Sequence, residues 1–112
     1  MKILNETVSK SGLEQMASKM FGYVVKAVVD IEREIVAIDG ELNSDLAEML
    51  VEQGSKGKNI WGVNIHPDKG SEWLEFDSMV NIKPNLGNRT RSVDDPIIRD
   101  KIRDILESLI KR

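Results

Sequence analysis

The sequence has no cysteine and a single histidine among its 112 residues. The first absence excludes a disulfide scaffold, thiolate metal sites and a cysteine nucleophile. The second excludes His₂ and His₃ metal sites within one chain, and a serine–histidine–aspartate triad would have to use His66. No long apolar run is present either: nothing approaches the ~18 uninterrupted apolar residues of a membrane-spanning helix. The N-terminal MKILNETVSKSG lacks the apolar core of a secretory signal, and Glu6 argues against a transit peptide, so a cytoplasmic chain is expected. Strong charge of one sign is missing as well. A formal net charge of −3 gives no global attraction to nucleic acid or to an anionic membrane.

What is present fits one domain, residues 1–112. A chain of this length buries about two-thirds of the surface it exposes when unfolded, enough for a core. Glycines at 54–57 and at 70 read as loop punctuation within that domain. Ser11-Gly12-Leu13-Glu14 has the spacing of a capping box, which predicts a first helix from Ser11. Leu13, Met16, Ala17 and Met20 continue it at helical spacing, and Gly22 stops it. A second helix is predicted after Asn43-Ser44, with Leu46, Met49 and Leu50 on one face and Gly54 at its end. Pro96 in the first turn and Asp94 or Asp95 as cap predict a third helix. Its stripe is Ile98, Ile102, Ile105, Leu109 and Ile110, and it is expected to run to about Lys111.

Four strand-like runs lie between these helices. Residues 23–31 place Val25, Ala27, Val29 and Ile31 on one face and Lys26 and Asp30 on the other. Residues 34–39 answer them after a short Glu32-Arg33 turn. Residues 60–66 and 73–83 form a second hairpin around Pro67-Asp68-Lys69-Gly70. Ile65 opposite Glu72 would set Trp61 against Phe76 and Val63 against Leu74, keeping both apolar sets on one side. The order α-β-β-α-β-β-α implies an α+β fold, an antiparallel sheet with helices packed mainly on one face. The other face would carry Lys26, Asp30, Asn64, His66, Trp73, Glu75, Asp77, Met79, Asn81 and Lys83, interrupted by Val28.

Chemistry is sought on that face and in the loop that follows it. Glu75 and Asp77 stand two apart on one strand and so project together, as a carboxylate pair for acid–base work or Mg²⁺ binding would. Alternation on any solvated strand gives the same pattern. His66, just before Pro67, could act as a general base if an acid oriented it. Asp68, the nearest acid in sequence, lies in the turn, and the preferred reading of His66 is a polar turn residue.

The segment 83–92 carries Lys83, Asn88, Arg89, Thr90 and Arg91, three bases and no acid, and leads into the third helix. Such a loop suits an anion or phosphate, although Asp94 and Asp95 at the cap oppose one on the helix axis. It matches neither a Walker loop nor a dinucleotide fingerprint. Arg89 and Arg91 could instead pair internally with the acidic 39–52 stretch of Asp39, Glu41, Asp45, Glu48 and Glu52. Trp61 and Phe76 are expected to point inward. Trp73 is then left outside as an interface anchor beside Met79, too little for a base-stacking platform.

Trp61-Gly62-Val63-Asn64, the run from Glu75 to Ile82, Gly87-Asn88-Arg89-Thr90-Arg91 and Val93-Asp94-Asp95-Pro96-Ile97 together resemble a family of short uncharacterised microbial proteins classed as a domain of unknown function. Ala27-Val28-Val29-Asp30 and Gly40-Glu41-Leu42 extend the resemblance over nearly the whole chain. It implies a stand-alone intracellular protein of bacteria or archaea, and it implies no activity, cofactor or catalytic residue.

The leading expectation is a non-enzymatic binding or interaction module without cofactor or metal. It would form a dimer and meet an anionic ligand or a protein partner through the polar face or the 83–92 loop. Nucleic acid and membrane are not expected partners. The alternative is a phosphate-ligand or RNA-acting enzyme, with Arg89 and Arg91 holding phosphate and His66, Glu75 or Asp77 as acid and base.

Overall fold

A computed structural model describes residues 1–111. Three helices and two hairpins follow one another in the expected order, and short strands at the two chain ends join them. The elements are β1 (Lys2–Ile3), β2 (Val8–Ser9), α1 (Lys10–Lys19), β3 (Val25–Asp30), β4 (Ile35–Ile38), α2 (Asn43–Glu52), β5 (Ile60–Ile65), β6 (Leu74–Glu75), α3 (Pro96–Leu109) and β7 (Ile110–Lys111). The sheet runs β1-β4-β3-β5-β6, and each of its neighbouring pairs is antiparallel. The fold is therefore α+β.

Strand alternation divides the core. Val25, Ala27 and Val29 of β3, Val36 and Ile38 of β4, and Trp61, Val63 and Ile65 of β5 share one face. Against them pack Leu13, Met16 and Ala17 of α1 and Ile102, Ile105 and Leu106 of α3. The opposite face carries a smaller cluster: Val28, Ala37 and Ile60 beneath Leu46 and Leu50 of α2. Two helices thus cover one face fully, and α2 covers part of the other. Val28, the apolar interruption in the polar face, is where α2 lands.

Several local details differ from the sequence expectations. Helix α1 is capped by Ser9, which accepts a hydrogen bond from the Gly12 N–H at 3.0 Å, two residues before the expected Ser11. The β3–β4 turn has no Asn-Gly; Asp30 shapes it by accepting from the Glu32 and Arg33 N–H groups. Glu34 completes the turn at a φ of 56°, and Ile31 leaves the strand for the turn. Helix α3 ends at Leu109 because Ile110 and Lys111 pair in parallel with Val8 and Ser9.

The second hairpin changes most. Ile65 lies opposite Leu74, not Glu72, and Asn64 opposite Glu75. A single-turn 3₁₀ helix over Gly70–Glu72 lengthens the connection. The slip of two residues preserves which side chains share a face, so Leu74 and Phe76 still pack against the main core. The run 73–83 is not one strand. Pairing stops at Glu75, and after Ser78 a 3₁₀ turn over Met79–Asn81 folds back across β5. Trp73 precedes the paired residues in an αR conformation, where alternation does not apply. It is 1% exposed within the main core, so the expected exposed aromatic is a core residue.

Candidate binding cleft on the polar sheet face

A glycine in the middle of β5 positions this face. A Cβ on Gly62 would stand 2.6 Å from the Ser78 Cβ, nearer still to Ser78 Oγ, and 3.1 Å from Asn43 Nδ2. Only glycine lets the 78–81 turn and the start of α2 lie this close to the sheet. Asn81, wholly buried, then does the work of the missing strand. Its Oδ1 accepts from the Gly62 N–H at 2.7 Å, and its Nδ2 donates to the Gly62 carbonyl at 3.0 Å and the Arg91 carbonyl at 2.9 Å. Ser78 N–H donates to the Arg91 carbonyl as well, fastening the turn to the 83–92 loop.

The loop is organised from inside by Asn88. Its buried amide donates to the carbonyls of Asn81 and Ser92 at 2.7 Å, and its Oδ1 accepts from the Asp94 N–H. Thr90 Oγ1 donates to Asp94 Oδ1 at 3.0 Å. Lys83 Nζ donates to the Val80 carbonyl and lies 5.0 Å from the Trp61 ring centre. Burial lowers the Lys83 pKa, since the charged form loses hydration there. Of the five residues expected to face an anion, Lys83, Asn88 and Thr90 therefore bond within the loop and its surroundings. Arg89 and Arg91 are exposed. Arg91 Nε donates to Asp77 Oδ1 at 2.6 Å, so its internal partner is Asp77 and not the acidic 39–52 stretch.

Glu75 and Asp77 take different partners. Pairing ends between them: Asp77 joins Arg91, whereas Glu75 Oε1 lies 3.2 Å from His66 Nε2 and accepts from Asn64 Nδ2 at 2.9 Å. The Asn64 amide, then the His66 ring, stabilise the carboxylate and hold its pKa below the ordinary value. His66 is buried, its Nδ1 has no hydrogen-bond partner among the described residues, and the Tyr23 ring stacks on it at 6.3 Å. Among the described residues, no three histidine, aspartate or glutamate side chains are grouped to hold a metal ion, and no helix is long and apolar enough to cross a membrane.

Between the start of α2 and the 77–80 segment lies a cleft of about 370 Å³. Lys26 and Arg91 both line it, together with Leu42, Ser44 and Met79. Lys26 Nζ is 3.3 Å from Asn64 Oδ1 and 5.6 Å from the Phe21 ring centre. Asn43 Nδ2 is turned inward to the Ala27 carbonyl, and α2 begins with no side-chain cap. Met79 is 66% exposed and Leu42 56%, an apolar rim on a charged opening. Sequence reading found Met79 and Arg91, and missed Asn81 and Asn43, whose polar side chains satisfy backbone groups of distant strands. The mid-strand Gly62 was the signal available for that close approach.

Comparison with curated proteins and with solved structures finds no match to this chain. A family profile matches residues 2–109, nearly its whole length. The chain belongs to the family described as "Protein of unknown function (DUF5674)".

Proposed function

We propose that the protein is a binding module that associates with a second copy of itself through the face around the cleft. The observation that carries this reading is a pair of segments of opposite exposed charge, α2 and the 79–91 segment, each of which contributes residues to the lining of the cleft. On one side, α2 exposes Asp45, Glu48 and Glu52 with Leu42 and Val51. On the other, the 79–91 segment exposes Arg89 and Arg91 with Met79, Ile82 and Leu86. The ion pairs among the described residues are His66–Glu75 and Arg91–Asp77, so among those residues neither the α2 acids nor Arg89 has an ion-pair partner. A two-fold axis between the segments brings each against its complement twice, as an isologous dimer requires. Apolar side chains interleaved with the charges supply the part of the contact that salt does not screen.

Light scattering coupled to size exclusion tests this. Wild type is expected to run as a dimer at high micromolar concentration, and Arg89→Glu and Glu48→Arg each as monomers. Mixing the two variants restores a dimer, because both cross-pairs again have opposite sign. A wild type that stays monomeric, or a mixture that does not re-form the dimer, refutes the reading.

The alternative, a phosphate-ligand or RNA-acting enzyme, has the His66–Glu75 contact in its favour. It requires nucleotide or RNA binding that weakens with salt and is lost in Arg89→Ala/Arg91→Ala.

A further inference from the structure

We propose that the cleft between the start of α2 and the 77–80 segment binds a small organic monocarboxylate, its charged end between Lys26 and Arg91 and its apolar end against Leu42, Met79 and Val80. Two cations come to one cavity from different parts of the chain, one from β3 and one from the 83–92 loop. Each makes one side-chain hydrogen bond among the described residues, which leaves donors unspent. Arg91 gives Nε to Asp77, which keeps its two terminal nitrogens for a carboxylate fork. Lys26 gives one proton to Asn64 and retains two.

Charge sets the class of ligand. Lys26 and Arg91 against Asp77 leave one net positive charge on the lining, which matches a monoanion. The first turn of α2 has no side-chain cap, which leaves the Asn43 and Ser44 N–H groups at its start, with Asp45 in the same turn offsetting their charge. The apolar lining at Leu42, Met79 and Val80 asks for a hydrocarbon body, which inorganic phosphate lacks. About 370 Å³ is at the small end of ligand pockets and suits a short acid. The proposal goes beyond self-association and does not depend on it.

Hexanoate titrated into ¹⁵N-labelled protein at neutral pH tests it, with hexanamide as the neutral match and hexyl phosphate as a more highly charged one. Hexanoate is expected to move the amides of Ser44, Met79 and Val80 and to saturate in the millimolar range, with hexanamide about tenfold weaker. Lys26→Met is expected to weaken hexanoate by about tenfold, and Arg91→Lys, which keeps the charge and loses the fork, by several-fold. The amide comparison uses wild type and needs no variant to fold. No shifts by about 50 mM hexanoate, or equal binding of hexanamide, overturns the proposal. Tighter binding of hexyl phosphate overturns the monocarboxylate assignment. Repeating the titration on Glu48→Arg keeps the two proposals apart: hexanoate binding there supports the cleft whatever the oligomeric state, and binding confined to wild type overturns a site built within one chain.

Discussion

Replacing Asn81 with alanine is the most informative perturbation of this fold. The amide occupies the place where β6 would have continued, and three hydrogen bonds end on it. The Arg91 carbonyl keeps a second donor, the Ser78 N–H, and so loses little. The Gly62 N–H and carbonyl are different, because β3 pairs with the other edge of β5 and the 78–81 turn closes this one. Two orphaned buried groups at about 1–3 kcal/mol each, less some relief from admitted water, give an expected loss of about 3–4 kcal/mol. Domains of this size have about 6–15 kcal/mol in total. The variant should fold with its urea midpoint lowered by about 2 M. Asn81→Asp should cost at least as much at neutral pH, since an oxygen would replace the donor that faces two carbonyls. Urea titration followed by circular dichroism measures the loss, and hydrogen exchange at the Gly62 amide localises it. A loss under about 1 kcal/mol with Gly62 protection unchanged would refute the account of Asn81 as a surrogate strand.

Other expectations follow from the same geometry. Gly62→Ala should cost about 2–3 kcal/mol through collision with Ser78. Ser78→Gly should recover part of that in the double variant, and a coupling near zero in a thermal-denaturation cycle would count against the contact. Glu75 has a pKa held below its ordinary 4.5 by the hydrogen bonds from Asn64 and His66. Its stabilising contribution is therefore present above pH 4.5 and is lost as pH falls through the lowered folded value. Acid titration of stability should show Glu75→Gln with a shallower loss than wild type below pH 4.5, and parallel curves would refute it. Trp61→Phe leaves Trp73 as the sole tryptophan. Its emission should be blue and resistant to acrylamide, and red, readily quenched emission would contradict its burial.

The parts of the fold legible in the sequence were those governed by periodicity over many residues. The α3 stripe and the alternation in β3 and β5 repeat the same signal several times, so one polar intrusion does not hide them. The 73–83 run misled because its alternation is coincidental after Glu75. Val80 and Asn81 satisfy a period of two in sequence, yet they sit in a 3₁₀ turn whose stability comes from the Gly62 edge, nineteen residues from Asn81 in the chain. No local pattern encodes that edge. The same holds for Trp73, which sits in the core because the connection of 66–73 folds inward before pairing begins. Short strands are invisible for a related reason: β1, β2 and β7 are two residues each, too few to show a period, and exist only because they find partners.

The cleft inherits this logic. A continued strand from Glu75 to Lys83 would have left Gly62 with a conventional neighbour and presented its outward side chains as a flat solvated row. Ending the ladder early forces asparagines to replace it, Asn81 on β5 and Asn88 within the loop. Those two amides carry Met79 outward and fix the Arg91 backbone beside the start of α2. Arg91 of the basic 83–91 block and Leu42, Asn43 and Ser44 of the otherwise acidic 39–52 stretch thereby line one opening. Their proximity is a consequence of buried amide geometry, so loosening Asn81 should impair self-association and hexanoate binding together, without touching any residue that either contact uses.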